Sequence, residues 1–544
     1  MMGNRLRPVA TPLALIATVA LCVILPFLKL GIPSGHDFEF HMNSWIEVVD
    51  HWKQGTIYPH WAALAHYGYG EARFIFYPPF SWTLGGLLGF VLPWKLVPAA
   101  YTWIALTLAG ASMFALARKW LSRRDAIFAA MLYAANPYNL VIVYWRSDQA
   151  ELMASIYLPL MLLLILQMEK NGRREVVPLS LIMAASWLTN LPAAVMTNYS
   201  LGVLALVLAI RRRSFTILLY AVSATVLGAM LAGFFLVPAY HQQSWVNIGQ
   251  VLAPGVRPED SFLFTNTADP DHNRFNLLVS IVAVTQLVIL AGAFIWPRSL
   301  RRNKLWLPLL IWSAVCALLM VSPTLPFWNH LPELRFVQLP WRWLLCLNVP
   351  FALLVSVSLQ RWWWRIVLCV AILAVLSTVW HRVQNPWWDN AGDIQEMLDN
   401  QQDGSGNEGV DEYVPLGVDP YDVDQKAPQV RFEGKGQAQI TIQTWDAERR
   451  AIEVRATSPG KLVLRLFNYP LWEVKINGRR AKTESTADTG QMVVPVSAGA
   501  NSVRIRFVDG SDHKLGLLFS GVAMAVILLL FAIWKPQPIL TAAH

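Results

Sequence analysis

The feature that most constrains this chain is the recurrence of apolar runs long enough to cross a bilayer. A hydrocarbon core about 30 Å thick takes ~20 apolar residues as a helix, with every backbone polar group satisfied inside the segment. Candidate spans fall at 11–30, 97–117, 125–145, 149–168, 176–190, 192–210, 215–237, 275–296, 305–322, 343–360, 364–380 and 514–534. A soluble globular chain carries roughly 25% charged residues. Here 15% of 544 residues are charged, 55% are hydrophobic, and mean hydropathy is +0.40. The expectation is a polytopic α-helical membrane protein of about 12–13 spans.

The net charge of +9 is no nucleic-acid signature, because the basic residues cluster in short loops between spans. Arg5/Arg7, Arg118/Lys119/Arg123/Arg124, Lys170/Arg173/Arg174, Arg211–Arg213, Arg298/Arg301/Arg302/Lys304, Arg361/Arg365 and Lys535 all become cytoplasmic under one threading. That threading puts the N-terminus inside and 31–77, 146–148, 190–192, 238–274, 323–342 and 381–513 outside. The run 79–93 is short and glycine-containing; a full crossing would flip every later loop, so it is read as re-entrant or interfacial. The first run is read as a retained span rather than a cleaved signal. Cys22, Cys316, Cys346 and Cys369 all lie in or beside spans, so no disulfide framework or cysteine metal site is expected.

Three parts follow: a multi-span domain over 1–380 with first outer loop 31–77, an extracytoplasmic domain over 381–513, and a final transmembrane helix over 514–534. Within 381–513, alternating runs at Gln437–Thr444, Ala451–Ala456, Leu462–Phe467, Trp472–Ile476, Met492–Val496 and Ser502–Phe507 predict an antiparallel β domain, sandwich-like, with a tight hairpin at Asn477-Gly478.

Ionisable groups at a lipid boundary are costly unless a cavity or partner uses them. Four clusters stand out. In Gly35-His36-Asp37-Phe38-Glu39-Phe40-His41, Asp37 suits a general base or a metal-holding acid, and His36 and His41 suit metal or phosphate. The competing reading makes Asp37 a helix N-cap. Residues 36–53 have amphipathic spacing for a surface helix, with Trp45, Ile46, Val49 and Trp52 opposite Glu39, Asn43, Glu47 and Asp50; Glu47 and Asp50 read as its solvated face. Asp148 and Glu151, three apart beside Arg146, face one side of a helix that starts there. The dipole of that helix explains Asp148 better than it explains Glu151. Arg335 and Arg342 flank Gln338 on the outer side against the charge trend, which favours phosphate binding over snorkelling. In the aromatic run 67–79, Arg73 could meet an anion and Tyr77 a sugar, with an interface belt the equal alternative.

Gly35-His36-Asp37 with His41, Phe76-Tyr77-Pro78-Pro79, Arg146-Ser147-Asp148 with Glu151, and Gln338-Leu339-Pro340-Trp341-Arg342 occur in an order that resembles the GT-C superfamily of membrane glycosyltransferases. The closer resemblance is to the bacterial 6-pyruvoyl-tetrahydropterin-synthase-related membrane proteins, over roughly residues 10–380. Asn468-Tyr469-Pro470-Leu471-Trp472 and Val493-Val494-Pro495-Val496 look like the C-terminal domain of related bacterial enzymes. The resemblance implies sugar transfer from a polyprenyl-phosphate donor to a glycan, lipid or protein acceptor outside the cytoplasmic (inner) membrane, with membrane lipid as a further partner. It makes Asp37, Asp148 and Glu151 catalytic. His36, Glu39, His41, Arg73, Tyr77, Arg146, Arg335, Gln338 and Arg342 become substrate-binding, with Arg146, Arg335 and Arg342 on the lipid phosphate. The first loop has Asp37-Phe38-Glu39 and no Asp-x-Asp, so Mg²⁺ or Mn²⁺ at Asp37 and His41 is left open. The rival classes are a flippase or transporter, which needs ionisable groups at the midplane, where Glu151 alone qualifies, and a non-catalytic envelope assembly factor acting through the β domain.

Overall fold

A computed structural model describes residues 3–295 and 304–533, with side chains for 10–295 and 304–532. Of the residues used to orient the chain, Arg298, Arg301, Arg302 and Lys535, and the side chains of Arg5 and Arg7, lie outside it. Among the described residues nine helices are long and apolar enough to cross a membrane, or eleven if two bent pairs each count as one span. Gln149–Trp187 counts once among the nine. It turns at Gly172, however, and Tyr157–Asn171 packs on Val176–Trp187. Each expected segment thus has a helical counterpart; besides short breaks at Leu25–Pro26 and Ser155–Ile156, three are not straight.

The bent pairs are Thr216–Leu231 with Gly233–Trp245 (75°) and Trp306–Leu319 with Ser322–His330 (95°). The first bend lies where Gly233 meets the final helix, Ser511–Ile533: a Cβ on Gly516 would come within 2.5 Å of the Gly233 carbonyl oxygen. Small residues let helix backbones approach this closely. The third irregular span, expected at 125–145, runs as Arg123–Ala134, Pro137–Val141 and a π-helical turn Ile142–Arg146. Pro79–Val91 is a 13-residue helix, about 20 Å long at 1.5 Å per residue and so shorter than a hydrocarbon core.

The helix Phe38–Lys53 differs from the expected surface helix. It is buried almost all round: Trp45 and Val48, but also Asn43, Ser44, Glu47 and His51. Pro79–Val91 packs along it, and on another side Gln401 of helix Ala391–Asp403 donates to Asp50 at 2.8 Å. Glu47 is therefore no solvated group.

The C-terminal part is a sandwich of nine strands: β1 (Val430–Gly434), β2 (Ala438–Trp445), β3 (Arg449–Ala456), β4 (Gly460–Phe467), β5 (Trp472–Ile476), β6 (Arg479–Ala481), β7 (Glu484–Ser485), β8 (Gln491–Val496) and β9 (Gly499–Phe507). One sheet runs β1-β4-β8-β7 and the other β2-β3-β9-β5-β6, all antiparallel. Alternate residues such as Leu462, Leu464 and Leu466 face Ile452, Val454, Val503 and Ile505 in one core. Trp61, Tyr69, Ile75 and Phe76 of the first loop join that core. The aromatic run 67–79 is thus mainly a seam to the sandwich rather than a lipid belt: Tyr69 stacks on Phe467 and Phe76 on Tyr413. A short ladder pairing Ile32 with Asp389 and Pro33 with Trp388 ties the exit of the first span to the start of this region.

Candidate active site

The site is built at the tip of a helix hairpin. Ile142–Arg146 closes with a wide turn in which Ser147 N–H donates to the Ile142 carbonyl at 2.6 Å, and Ser147 takes a left-handed conformation (φ 53°). Asp148 then caps the next helix, accepting from Glu151 N–H at 2.8 Å. π-Turns of this kind recur at functional sites. The hairpin tip captures the first loop: Asp37 N–H donates to the Arg146 carbonyl (2.9 Å), Gly35 N–H to Ser147 Oγ (3.0 Å), and Ser147 Oγ to the Pro33 carbonyl (2.8 Å). Gly35 is obligatory by space, since a Cβ there would sit 2.2 Å from the Trp145 carbonyl oxygen.

Side chains from three distant segments meet at this tip. Arg146 Nη2 donates to Asp37 Oδ2 at 2.5 Å and to Asp148 Oδ2 at 3.1 Å. Arg342 Nε donates to Glu151 Oε2 at 3.1 Å, its Nη2 lies 3.5 Å from Asp148 Oδ2, and its Nη1 donates to the Val337 carbonyl and to Gln338 Oε1, both at 3.0 Å. His41 Nε2 accepts from Gln149 N–H at 3.1 Å and lies 3.6 Å from Asp148 Oδ1. Asp148, Glu151, Arg146 and Arg342 are all buried, whereas the Asp37 side chain is 34% exposed. Asp37 holds the N-cap position of Phe38–Lys53, yet its carboxylate caps nothing and is turned to Arg146 instead. The N-cap reading of Asp37 thus fails on its side chain, while that of Asp148 holds alongside its ion pairs.

Burial would raise the Asp148 carboxyl; the His41 contact and the two guanidiniums outweigh it and hold it well below the usual carboxylate range. Burial, then Asp148 and Asp37, push the half-buried Tyr77 hydroxyl up, so it stays protonated as a donor. The Tyr77 ring packs on Phe40 and His41. Arg342 has its donors spent on protein acceptors, but Arg146 Nε has no hydrogen-bond partner among the described residues, and the Arg146 guanidinium lies over Trp341 at 5.2 Å.

Other expected site residues lie elsewhere. Arg73 is buried and spent in a structural network: its Nε donates to Glu71 Oε1 at 2.5 Å and its Nη1 to Ser44 Oγ at 3.0 Å, with His66 on the other Glu71 oxygen. Arg335 is clamped by Glu259 (2.8 and 3.1 Å) and Asn329, and makes none of its bonds to the acid cluster. Gln338 bridges Arg342 to the Val251 carbonyl and so orients an arginine. His36 is exposed against Phe275 and Trp387. Glu39 lines a separate acidic cavity of about 370 Å³ with Asp389, Asp393, Glu396 and Glu408. Two groups were missed. Tyr138 donates to Glu151 Oε1 at 2.5 Å, and Trp341 carries Arg146; Asn136-Pro137, a helix-boundary signal, is the one local hint of the break that turns Tyr138 inward.

A divalent cation at Asp37 and His41 does not fit this donor set. Arg146 already holds Asp37 Oδ2, and the His41 Nε2 lone pair accepts a backbone N–H. No chemical step is derived through one. Deeper in the spans Asn139, Asn348 and Gln286 hydrogen-bond in a chain, Gln286 to Asn348 at 2.9 Å and Asn348 to Asn139 at 3.4 Å.

The family model described as "6-pyruvoyl-tetrahydropterin synthase related domain; membrane protein" matches residues 74–384. The chain belongs to this family. The matched stretch holds Asp148, Glu151 and both clustered arginines, while Asp37 and His41 precede it. No curated protein matches the sequence. Among solved structures the chain is similar to ArnT from Cupriavidus metallidurans bound to undecaprenyl phosphate, at 15% identity and TM-score 0.40, covering 68% of this chain and 66% of that one.

Proposed function

We propose that this family member is a glycosyltransferase of the bacterial cytoplasmic membrane, moving a sugar from a polyprenyl-phosphate carrier to a hydroxyl acceptor on the sandwich side, outside the cytoplasm. One observation carries the reading: of the three clustered acids, only Asp37 reaches solvent, and it is held by an arginine that has donor capacity to spare. Asp37 takes the proton as the acceptor oxygen attacks the anomeric carbon. The bond from that carbon to the phosphate oxygen breaks, and the negative charge developing there falls to Arg146. Asp148, Glu151, Tyr138 and Arg342 hold Arg146 and the hairpin tip in position, and Tyr77 offers a protonated hydroxyl beside the acids.

Glu151, the acid a transporter would need, is tied to Arg342 and Tyr138 at the hairpin tip, and the amides of Asn139, Asn348 and Gln286 are bonded to one another, which favours the transferase over a transporter. The test is Asp37→Asn in cells lacking the wild-type gene, with membrane levels of the protein matched. Loss of a general base lowers transfer by about 10²–10⁴-fold, with the lipid-linked sugar donor accumulating and Asp37→Glu restoring part of the rate. Undiminished glycan in the Asn variant would reject this site.

A further inference from the structure

Away from the acid–arginine cluster, three chain segments meet where the sandwich joins the last helix. His60 lies in the first loop, Asp509 in the turn after β9, and His513 in the first turn of Ser511–Ile533. One ligand atom from each lies within 4.8 Å of the others. We propose that His60, Asp509 and His513 bind a single divalent transition-metal ion of the Zn²⁺ type, which fastens the final helix and the sandwich to the first loop.

The geometry around His60 is that of a metal ligand. Its Nδ1 lies 3.3 Å from Glu448 Oε1, and its backbone N–H donates to the same oxygen at 2.6 Å. A carboxylate on one ring nitrogen fixes the tautomer and leaves the other as a lone-pair donor, the arrangement that recurs behind metal-bound histidines. That other nitrogen, Nε2, faces Asp509 Oδ1 at 3.4 Å. With the proton on Nδ1, the Nε2 lone pair and the carboxylate face each other as two acceptors, a pairing that a bound cation satisfies. Bonds of about 2.1 Å in a tetrahedral site set donors about 3.4 Å apart, so this edge already has the required length.

His513 supplies an independent observation. It is 7% exposed, and its Nδ1, 3.7 Å from Asp512 Oδ1, makes no hydrogen bond among the described residues. Its ring stands 5.1 Å from that of His60, and His60 in turn stacks on Phe507 at the end of β9. Two imidazoles with one carboxylate suit Zn²⁺ and its neighbours rather than Mg²⁺ or Ca²⁺, which prefer all-oxygen shells. Three protein ligands leave a fourth position for water, and the Asp509 side chain, 59% exposed, opens the path to solvent.

The test uses the full chain in nanodiscs, stripped with chelator and titrated with ZnSO₄, with MgCl₂ as control. Expected are one Zn²⁺ per chain, a rise in the thermal-unfolding midpoint with Zn²⁺ and none with Mg²⁺, and visible d–d absorption when Co²⁺ replaces Zn²⁺. His60→Ala should abolish all three. Asp509→Asn, at an exposed position that spares folding, should weaken binding, and Glu448→Gln should weaken it by about 10–100-fold through loss of the orienting carboxylate. Absence of stoichiometric Zn²⁺ binding by the wild type overturns the proposal. Binding that persists undiminished in Asp509→Asn and His60→Ala overturns it equally.

Discussion

Replacing Asp148 by asparagine separates two roles that one carboxylate performs. As an N-cap it accepts from Glu151 N–H at 2.8 Å; as an anion it lies 3.1 Å from Arg146 Nη2 and 3.5 Å from Arg342 Nη2. Asparagine caps about as well as aspartate, while alanine costs about 1 kcal/mol at such a position. The two ion contacts are worth roughly 5 kcal/mol each at an effective dielectric constant of about 20, before several kcal/mol of desolvation per ion are set against them. Leaving buried guanidiniums without this partner costs about 3–5 kcal/mol. Asp148→Asn should therefore destabilise by about 3–5 kcal/mol, and Asp148→Ala by about 1 kcal/mol more. The assay is unfolding of the purified protein in nanodiscs, followed by near-ultraviolet circular dichroism. Because the folded carboxyl titrates well below its unfolded value, its contribution is fully present at neutral pH and lost only on acidification through the folded value. Adding Arg342→Gln to Asp148→Asn should cost less than the sum of the single changes by about 0.5–3 kcal/mol. An asparagine variant within about 0.5 kcal/mol of wild type, beside an alanine variant at about 1, would reduce Asp148 to a cap and refute the electrostatic argument.

Gly35→Ala places a Cβ 2.2 Å from the Trp145 carbonyl oxygen and pushes the first loop off the hairpin tip; it should cost about 1–3 kcal/mol and lower transfer ~10²-fold in the folded fraction, measured beside Gly249→Ala as a control at an open position with an ordinary backbone conformation. Glu47 gives a pH signature. Burial raises its carboxyl to about 7, against the pull of Arg73 and the Leu64 N–H. The folded state therefore holds a proton that the unfolded state has released, and stability falls as pH rises from about 4.5 to 7, by about 3 kcal/mol, and is flat above. Thermal midpoints of Glu47→Gln should lose that slope, and a profile that overlays the wild type would exclude Glu47 as its source.

The spans were legible because length and hydropathy act locally. So were the strands, because alternation reports a half-buried surface, and so was the hairpin, where Asn477 (φ 50°) and Gly478 (φ 81°) take the left-handed conformations such a turn requires. What covers a helix is not local. Asn43 and Glu47 have the spacing of a solvated face, but Leu64 of the first loop donates to Glu47 at 3.2 Å, and Pro79–Val91 and Ala391–Asp403, from farther along the chain, pack on the same helix. Arg73 was misread for a related reason: Glu71, two residues before it, meets it only through the irregular turn between them. Arg335 and Arg342 share one motif, but it folds as two 3₁₀ turns around Gln338 (φ 64°) with no period to assign faces, and so one arginine meets Glu259 and the other Glu151.

The hairpin explains why such a site can exist at the end of membrane spans. Tyr138 and Glu151 are 13 residues apart and would stand about 20 Å apart along an unbroken helix, yet their oxygens meet at 2.5 Å. Reversal at Ser147 and Asp148 brings them together, and irregular backbone at this depth is tolerated only where protein satisfies it. Here it is satisfied: Asn136 accepts from Asn139 N–H at 2.8 Å, Asn139 Nδ2 donates to the Tyr133 carbonyl at 3.1 Å, and the Ser147 hydroxyl donates to the Pro33 carbonyl. Of the three acids in the cluster, one alone is reached by water. That member is Asp37, which belongs to neither helix of the hairpin; its N–H donates to the Arg146 carbonyl, its carbonyl accepts from His41 N–H, and its carboxylate meets one guanidinium. The hairpin holds the arginines, and in the proposed transfer the first loop supplies the carboxylate that water reaches.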